Sequence, residues 1–132
     1  MNDDLTYLDS SALVKLVIAE PESGALHGFL AARPERASSA LAKTELIRAV
    51  APHGRAGVER ARAALLDLFL IEVDEDVLEE AAELKPMSMR SLDAVHLASA
   101  LSLGGALHIV VTYDEPMVGA AEAAGLSVES PS

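Results

Sequence analysis

Short continuous apolar runs alternate along this chain with longer stretches in which apolar residues recur at helical spacing. The first run, Leu5–Leu8, reads as a strand, and the pattern then predicts a helix over 12–18 that Glu20-Pro21 closes. A second helix is expected over 23–32, a weak short strand over 37–39, and an Ala- and Leu-rich helix over 41–50. Pro52-His53-Gly54 interrupts the periodicity, which resumes over 58–69 with Ala61, Leu65, Leu68 and Phe69. A strand over 70–73 and a helix over 75–84 follow, with Pro86 as its stop; Ser91 then opens a helix that runs to Gly104-Gly105. The chain finishes with a strand over 109–111, a turn over 113–116, a last helix to Ala124 capped by Gly125, and a strand over 126–128. Strands alternating with helices imply an α/β fold in which a parallel sheet is covered on both faces. Neither an internal repeat nor a linker interrupts this rhythm.

Composition narrows the picture. With 132 residues, 51% of them hydrophobic, one domain over 1–132 with a single core is expected, and a disordered chain is not. The absence of cysteine excludes thiolate metal sites, disulfides and cysteine nucleophiles. Residues 94–113 contain no Asp, Glu, Lys or Arg and are long enough to span a bilayer. Gly104-Gly105 divides that stretch, and His96, Ser99, Ser102 and His108 interrupt it, so it reads as helix, turn and buried strand, not as a membrane span. The acidic start, Met1-Asn2-Asp3-Asp4, is unlike a secretory leader, and a cytoplasmic location is expected. With 21 acidic against 10 basic residues the net charge is -11, which at long range repels a polyanion. Phosphate chemistry on such a chain needs a local cation, and a divalent metal is the natural source.

Most of the acids belong to polar stretches: Glu59, Glu72, Asp74, Glu75, Asp76, Glu79, Glu80 and Glu83 read as solvated surface charges. Four stand apart by context. Asp9 directly follows the first strand and Asp114 lies just past the strand ending in Val111, positions beyond the carboxyl ends of strands where open α/β sheets bind ligands. Both also have a plain structural role open to them, as N-caps of the next helix. Glu45 borders an apolar stripe of Ala42, Leu46 and Ala49, and a carboxylate held there is costly unless paired or metal-bound. Asp93 shares a face with His96, Leu97 and Ala100, although a first-turn acid after a Ser91 cap would also suit the helix dipole. A hydrogen-bonded core histidine is the favoured reading of His96 over a metal ligand.

Taken together, Tyr7-Leu8-Asp9-Ser10-Ser11-Ala12-Leu13-Val14-Lys15, Lys43-Thr44-Glu45-Leu46, Arg90-Ser91-Leu92-Asp93-Ala94-Val95-His96-Leu97-Ala98 and Val111-Thr112-Tyr113-Asp114 resemble PIN-domain ribonucleases, and among them the VapC-type toxins of toxin–antitoxin modules. The resemblance spans essentially the whole chain in order. It implies a three-layer α/β/α fold with a central parallel sheet of four to five strands. It also implies a site in which Asp9, Glu45, Asp93 and Asp114 bind Mg2+ or Mn2+ and hydrolyse RNA. Ser11 and Thr112 match small hydroxyl positions near that site, with supporting roles. Some relatives carry a further acid near the fourth, and Glu115 is the one within reach here.

Magnesium favours oxygen ligands in octahedral geometry, which explains why such chemistry gathers carboxylates. Packed together they repel, so without metal at least one should hold its proton more tightly. Lys15, Lys43, Arg48 and Arg90 lie near the acids in sequence and are candidates to hold the RNA backbone. The resemblance further implies a cognate antitoxin covering the site and a homodimer. Four alternatives compete with a nuclease toxin: an RNA-processing enzyme of the same type, a non-catalytic module that kept the fold, a dehalogenase-type phosphatase, and a phospho-accepting receiver domain. The last needs a late lysine, but Lys85 is the final one, before the last two strands. A dehalogenase-type phosphatase is disfavoured because Ser11 occupies the place of its second acid.

Overall fold

The computed structural model describes residues 4–132; the remainder of the acidic start, residues 1–3, lies outside it. Five strands form one sheet: β1 (Leu5–Leu8), β2 (Arg36–Ser39), β3 (Phe69–Ile71), β4 (Leu107–Val111) and β5 (Val128–Glu129). Their spatial order is β3-β2-β1-β4-β5, and every neighbouring pair is parallel. The chain therefore builds outward from β1 in one direction, then crosses back to lay β4 and β5 on its other side. That reversal falls between β1 and β4, so the crevice beyond their carboxyl ends opens next to Leu8 and Val111.

Among the described residues, seven α-helices cover the sheet: α1 (Ser10–Val17), α2 (Ser23–Leu30), α3 (Ala42–Val50), α4 (Arg55–Leu66), α5 (Glu75–Glu83), α6 (Ser91–Leu101) and α7 (Glu115–Ala123). Successive strand residues point to opposite faces, and both faces are dry. Leu8 and Val111 pack with Leu13, Leu26, Leu46 and Ala61 from the first four helices. Tyr7, Ala37 and Val110 face the other way, toward Ala100 of α6. Leu97 packs there with Met117, Ala120 and Ala121 of α7. The result is the expected three-layer α/β/α arrangement, with five strands.

Element boundaries moved where local chemistry outweighed apolar periodicity. The helix expected over 58–69 begins at Arg55, because Gly54, at φ +101°, turns the chain directly out of a short 3-10 segment (Ala51–His53). Its buried face is Gly57, Ala61 and Leu65, while Leu66 and Phe69, apolar by composition, are exposed. Strand β3 correspondingly starts at Phe69. α6 stops at Leu101, ahead of the two glycines. Arg90, not Ser91, occupies its N-cap position, without a side-chain capping bond. At the end of α7, Gly125 adopts φ +87°, and the Gly125 and Leu126 amides return to the Glu122 and Ala121 carbonyls. That helix-ending motif uses Leu126, so β5 begins later than the apolar run does.

Candidate active site

Every one of the eight acids read as solvated is exposed. Among the described residues, the acids that are not exposed are Asp9, Glu22, Glu45, Asp93 and Asp114. Glu22 is accounted for by Lys15, 2.8 Å away. The other four line a single open cleft of about 560 Å³, together with Ser11, Val14, Arg90 and Tyr113.

Asp9 is held most tightly. It caps α1, its Oδ1 accepting from the Ala12 amide at 3.1 Å and from Ser11 Oγ at 2.6 Å, while Thr112 Oγ1 donates to Oδ2. Both hydroxyls also accept from backbone, Ser11 from the Tyr113 amide (2.9 Å) and Thr112 from the Asp114 amide (3.1 Å). The ends of β1 and β4 are thereby locked together through Asp9. Burial raises its pKa, and the Ser11 and Thr112 hydrogen bonds offset part of that rise.

Asp93 and Asp114 form the opposite case. Asp114 sits at the N-cap position of α7 but makes no capping bond. Asp93 Oδ2 and Asp114 Oδ2 are both buried with no hydrogen-bond partner among the described residues. Among the described residues, Arg90 is the base paired with them, with Nε 3.5 Å from Asp93 and Nη2 3.7 Å from Asp114, and its side chain is 76% exposed. Burial and the neighbouring Asp114 carboxylate hold the Asp93 pKa above the usual carboxylate range, against the pull of Arg90. Two orphaned, mutually repelling oxygens sharing one solvent-exposed cation are under-neutralised.

Glu45 reaches the cleft from α3, where its Oε1 lies 2.6 Å from His96 Nε2. His96 is 2% exposed and meets the Tyr7 hydroxyl through Nδ1, so it is a hydrogen-bonded core histidine. Nothing in the chain's periodicity pointed to Tyr7, which is 89 residues away from its partner.

The neighbouring bases divide. Lys15 is spent on Glu22 and Glu20, which raise its pKa, and it lies over the Tyr113 ring. Lys43 and Arg48 are exposed on α3. Glu115 is exposed at the start of α7 and does not line the cleft. As the side chains stand, no three His, Asp or Glu groups among the described residues are gathered closely enough to hold a metal ion. Asp9 is turned to its hydroxyls, Glu45 to its histidine, and Asp93 and Asp114 to Arg90.

The sequence profile of the PIN domain matches residues 6–122. The chain belongs to the PIN-domain family. Its relatives are of the VapC type. They include ribonuclease VapC46 of Mycobacterium tuberculosis, 48% identical over 126 residues and 96% of this chain, 97% of that one. Ribonuclease VapC35 of the same organism is 43% identical over 134 residues with the same coverage. The fold agrees: the crystal structure of M. tuberculosis VapC20, described as a sarcin-ricin loop cleaving toxin, superposes with a TM-score of 0.75 at 20% identity, covering 96% of this chain and 99% of that one. A toxin–antitoxin complex from Klebsiella pneumoniae superposes with a TM-score of 0.74, also at 20% identity, covering 96% and 98%. Membership closes the receiver-domain and phosphatase alternatives. No helix among the described residues is long and apolar enough to cross a membrane.

Proposed function

We propose that this PIN domain is a Mg2+- or Mn2+-dependent endoribonuclease and the toxin of a toxin–antitoxin pair, with Asp9, Glu45, Asp93 and Asp114 as its metal-binding and catalytic acids. The observation that carries the reading is the orphaned pair, Asp93 Oδ2 and Asp114 Oδ2, buried at one cleft wall and paired, among the described residues, with the exposed Arg90 guanidinium. An all-oxygen donor set of this kind fits a hard divalent cation. Asp93 and Asp114 would hold it directly, with Asp9 and Glu45 on the same cleft completing the set. When bound, such a cation neutralises charge at the scissile phosphate and acidifies a nearby water.

The chain's own residues set the stage. Ser11, Thr112 and the Ala12 amide fix the Asp9 carboxylate between the two strand ends, so its orientation costs nothing at the moment of reaction. His96 engages one oxygen of Glu45 and leaves Oε2 for the cleft. Arg90, exposed at the rim of the cleft beside Asp93 and Asp114, stands where it can pair with the phosphodiester of RNA.

The VapC relatives and the toxin–antitoxin neighbour support a cognate antitoxin; that it covers the cleft, and that the protein acts in the cytoplasm, are parts of the same proposal. Homodimerisation is consistent with Leu78 and Met87, which expose 49% and 64% of their surface. The catalytic reading is tested by incubating the protein and Asp93→Asn with RNA in Mg2+ or in EDTA. Cleavage should require Mg2+ and fall by roughly 100-fold or more in the variant; equal cleavage by both proteins would sink the assignment. Growth arrest on expression, relieved by Asp9→Asn, separates a toxin from an RNA-processing enzyme.

A further inference from the structure

One cleft acid is gripped from the interior of the sheet. Tyr7 projects from β1 toward α6, and its hydroxyl lies 2.7 Å from His96 Nδ1. The rings meet edge to face, 5.9 Å between centroids and inclined by 76°. From the far side of the imidazole, Nε2 reaches Glu45 Oε1 at 2.6 Å. Tyr7 is fully buried and His96 nearly so, so a continuous polar rod runs from the central strand through α6 to a carboxylate on α3, joining the two helical layers around the strand ends.

Proton positions along the rod follow from its ends. A carboxylate facing Nε2 requires the proton on that nitrogen, which leaves Nδ1 of a neutral imidazole as an acceptor. The Tyr7 hydroxyl, 2.7 Å away, supplies the matching donor. Each member thus fixes the next. A phenol and an imidazole buried here need partners, and apolar side chains of similar volume would fill the same space without that requirement. What the polar pair adds is direction at Glu45.

We propose that Tyr7 and His96 are positioning residues that hold Glu45 Oε1 so that Oε2 is presented to the cation in the cleft; this rests on the metal-dependent nuclease reading above. The test uses the full chain and its His96→Leu, His96→Gln, Tyr7→Phe, Glu45→Gln and His96→Leu/Glu45→Gln variants. Mn2+ affinity is measured by calorimetry, folding by metal-free thermal unfolding, and RNA cleavage against Mg2+ concentration. His96→Leu should bind Mn2+ roughly 10–100-fold more weakly, with the Mg2+ requirement for cleavage rising in step while the rate at saturating Mg2+ changes less. His96→Gln, whose amide N–H can donate to Glu45, should recover most of the affinity. Tyr7→Phe should fall in between, and His96→Leu should cost little on top of Glu45→Gln.

Parent-like Mn2+ binding by His96→Leu overturns the proposal. So does a His96→Gln variant as weak as His96→Leu, or a His96→Leu loss undiminished in the Glu45→Gln background. If His96→Leu does not fold, His96→Gln and Tyr7→Phe decide: parent-like binding by Tyr7→Phe together with loss in His96→Gln refutes the rod. A parent protein that binds no Mn2+ overturns the nuclease reading itself, a result distinct from all of these.

Discussion

Replacing Asp93 by Asn should make the metal-free protein more stable while abolishing its response to metal. In the parent, Asp93 Oδ2 and Asp114 Oδ2 are buried without hydrogen-bond partners. An Asn amide at the same place can donate to Asp114, and a hydrogen bond to a charged acceptor is worth about 1.5–3 kcal/mol. The ion pair lost, Arg90 to Asp93 at 3.5 Å, has a 76% exposed partner and contributes about 0.2–1 kcal/mol. The net gain is about 1–2 kcal/mol. With an unfolding entropy of about 2.1 cal/mol/K per residue, a chain of 132 residues converts this to a Tm rise of about 4–7 °C in EDTA. Adding Mn2+ at about 100 times its Kd stabilises the parent by about 2.7 kcal/mol, and the variant by little, so the order of melting should reverse.

The acid dependence has a definite sign. Because the folded-state pKa of Asp93 is raised above its unfolded value, the folded protein binds the extra proton and the parent loses stability as pH rises through that folded pKa. The advantage of Asn is therefore complete above that folded pKa. It should shrink as pH falls through the folded pKa of Asp93, and vanish below the unfolded value of about 3.8, where both states carry the proton. Differential scanning fluorimetry across pH, with EDTA or Mn2+, reads every arm. A variant that melts below the parent in EDTA at neutral pH would refute the claim that this pair is strained for want of a cation.

Thr112→Val keeps the shape but removes the donor to Asp9 Oδ2 and the acceptor of the Asp114 amide, and should cost about 1–3 kcal/mol in urea unfolding. Gly125→Ala, at φ +87°, should cost about 1–2 kcal/mol by the same measurement without altering metal affinity. For RNA binding followed by anisotropy in the Asp93→Asn background, Arg48→Gln should lower the slope of log K against log salt by about 0.7. Lys15→Gln should leave that slope unchanged, since its ammonium is already taken by Glu20 and Glu22.

The layer order and the cleft were legible because they depend on quantities that a sequence carries directly. Strand ends locate Asp9 and Asp114, and an acid bordering an apolar stripe marks Glu45 and Asp93; burial then separates these from all but one of the other described acids. Side-chain reach is not carried that way. Lys15 reads as a cleft base until Glu20 and Glu22, one helix end away, are seen to claim it. His96 shares a face with Asp93, yet its hydrogen bonds run to Tyr7 and to Glu45, 51 residues distant, through contacts that only the packed layers create. The error at the end of α4 has the opposite origin: Phe69 is apolar yet 59% exposed, so a rule that sends apolar residues inward ran the helix through it and started β3 one residue late.

The net charge of -11 is at odds with the proposed RNA substrate only while it is treated as uniform. Residues 43–62 hold Lys43, Arg48, Arg55, Arg60 and Arg62 against Glu45 and Glu59, whereas residues 72–83 hold Glu72, Asp74, Glu75, Asp76, Glu79, Glu80 and Glu83 and no base. The first segment forms α3 and α4, beside the cleft that Glu45 and Ala49 line; the second forms α5 in the other layer. At physiological salt, exposed charges more than about 8 Å apart are largely screened, so what a phosphate meets on the approach over α3 is set by the bases nearby and not by the sum. The acidic α5 surface discourages binding elsewhere, and the cleft acids, which repel one another without a cation, become a site for phosphate only with one. This uneven distribution leaves one approach open to the proposed substrate, and the metal proposed at Asp93 and Asp114 would complete it.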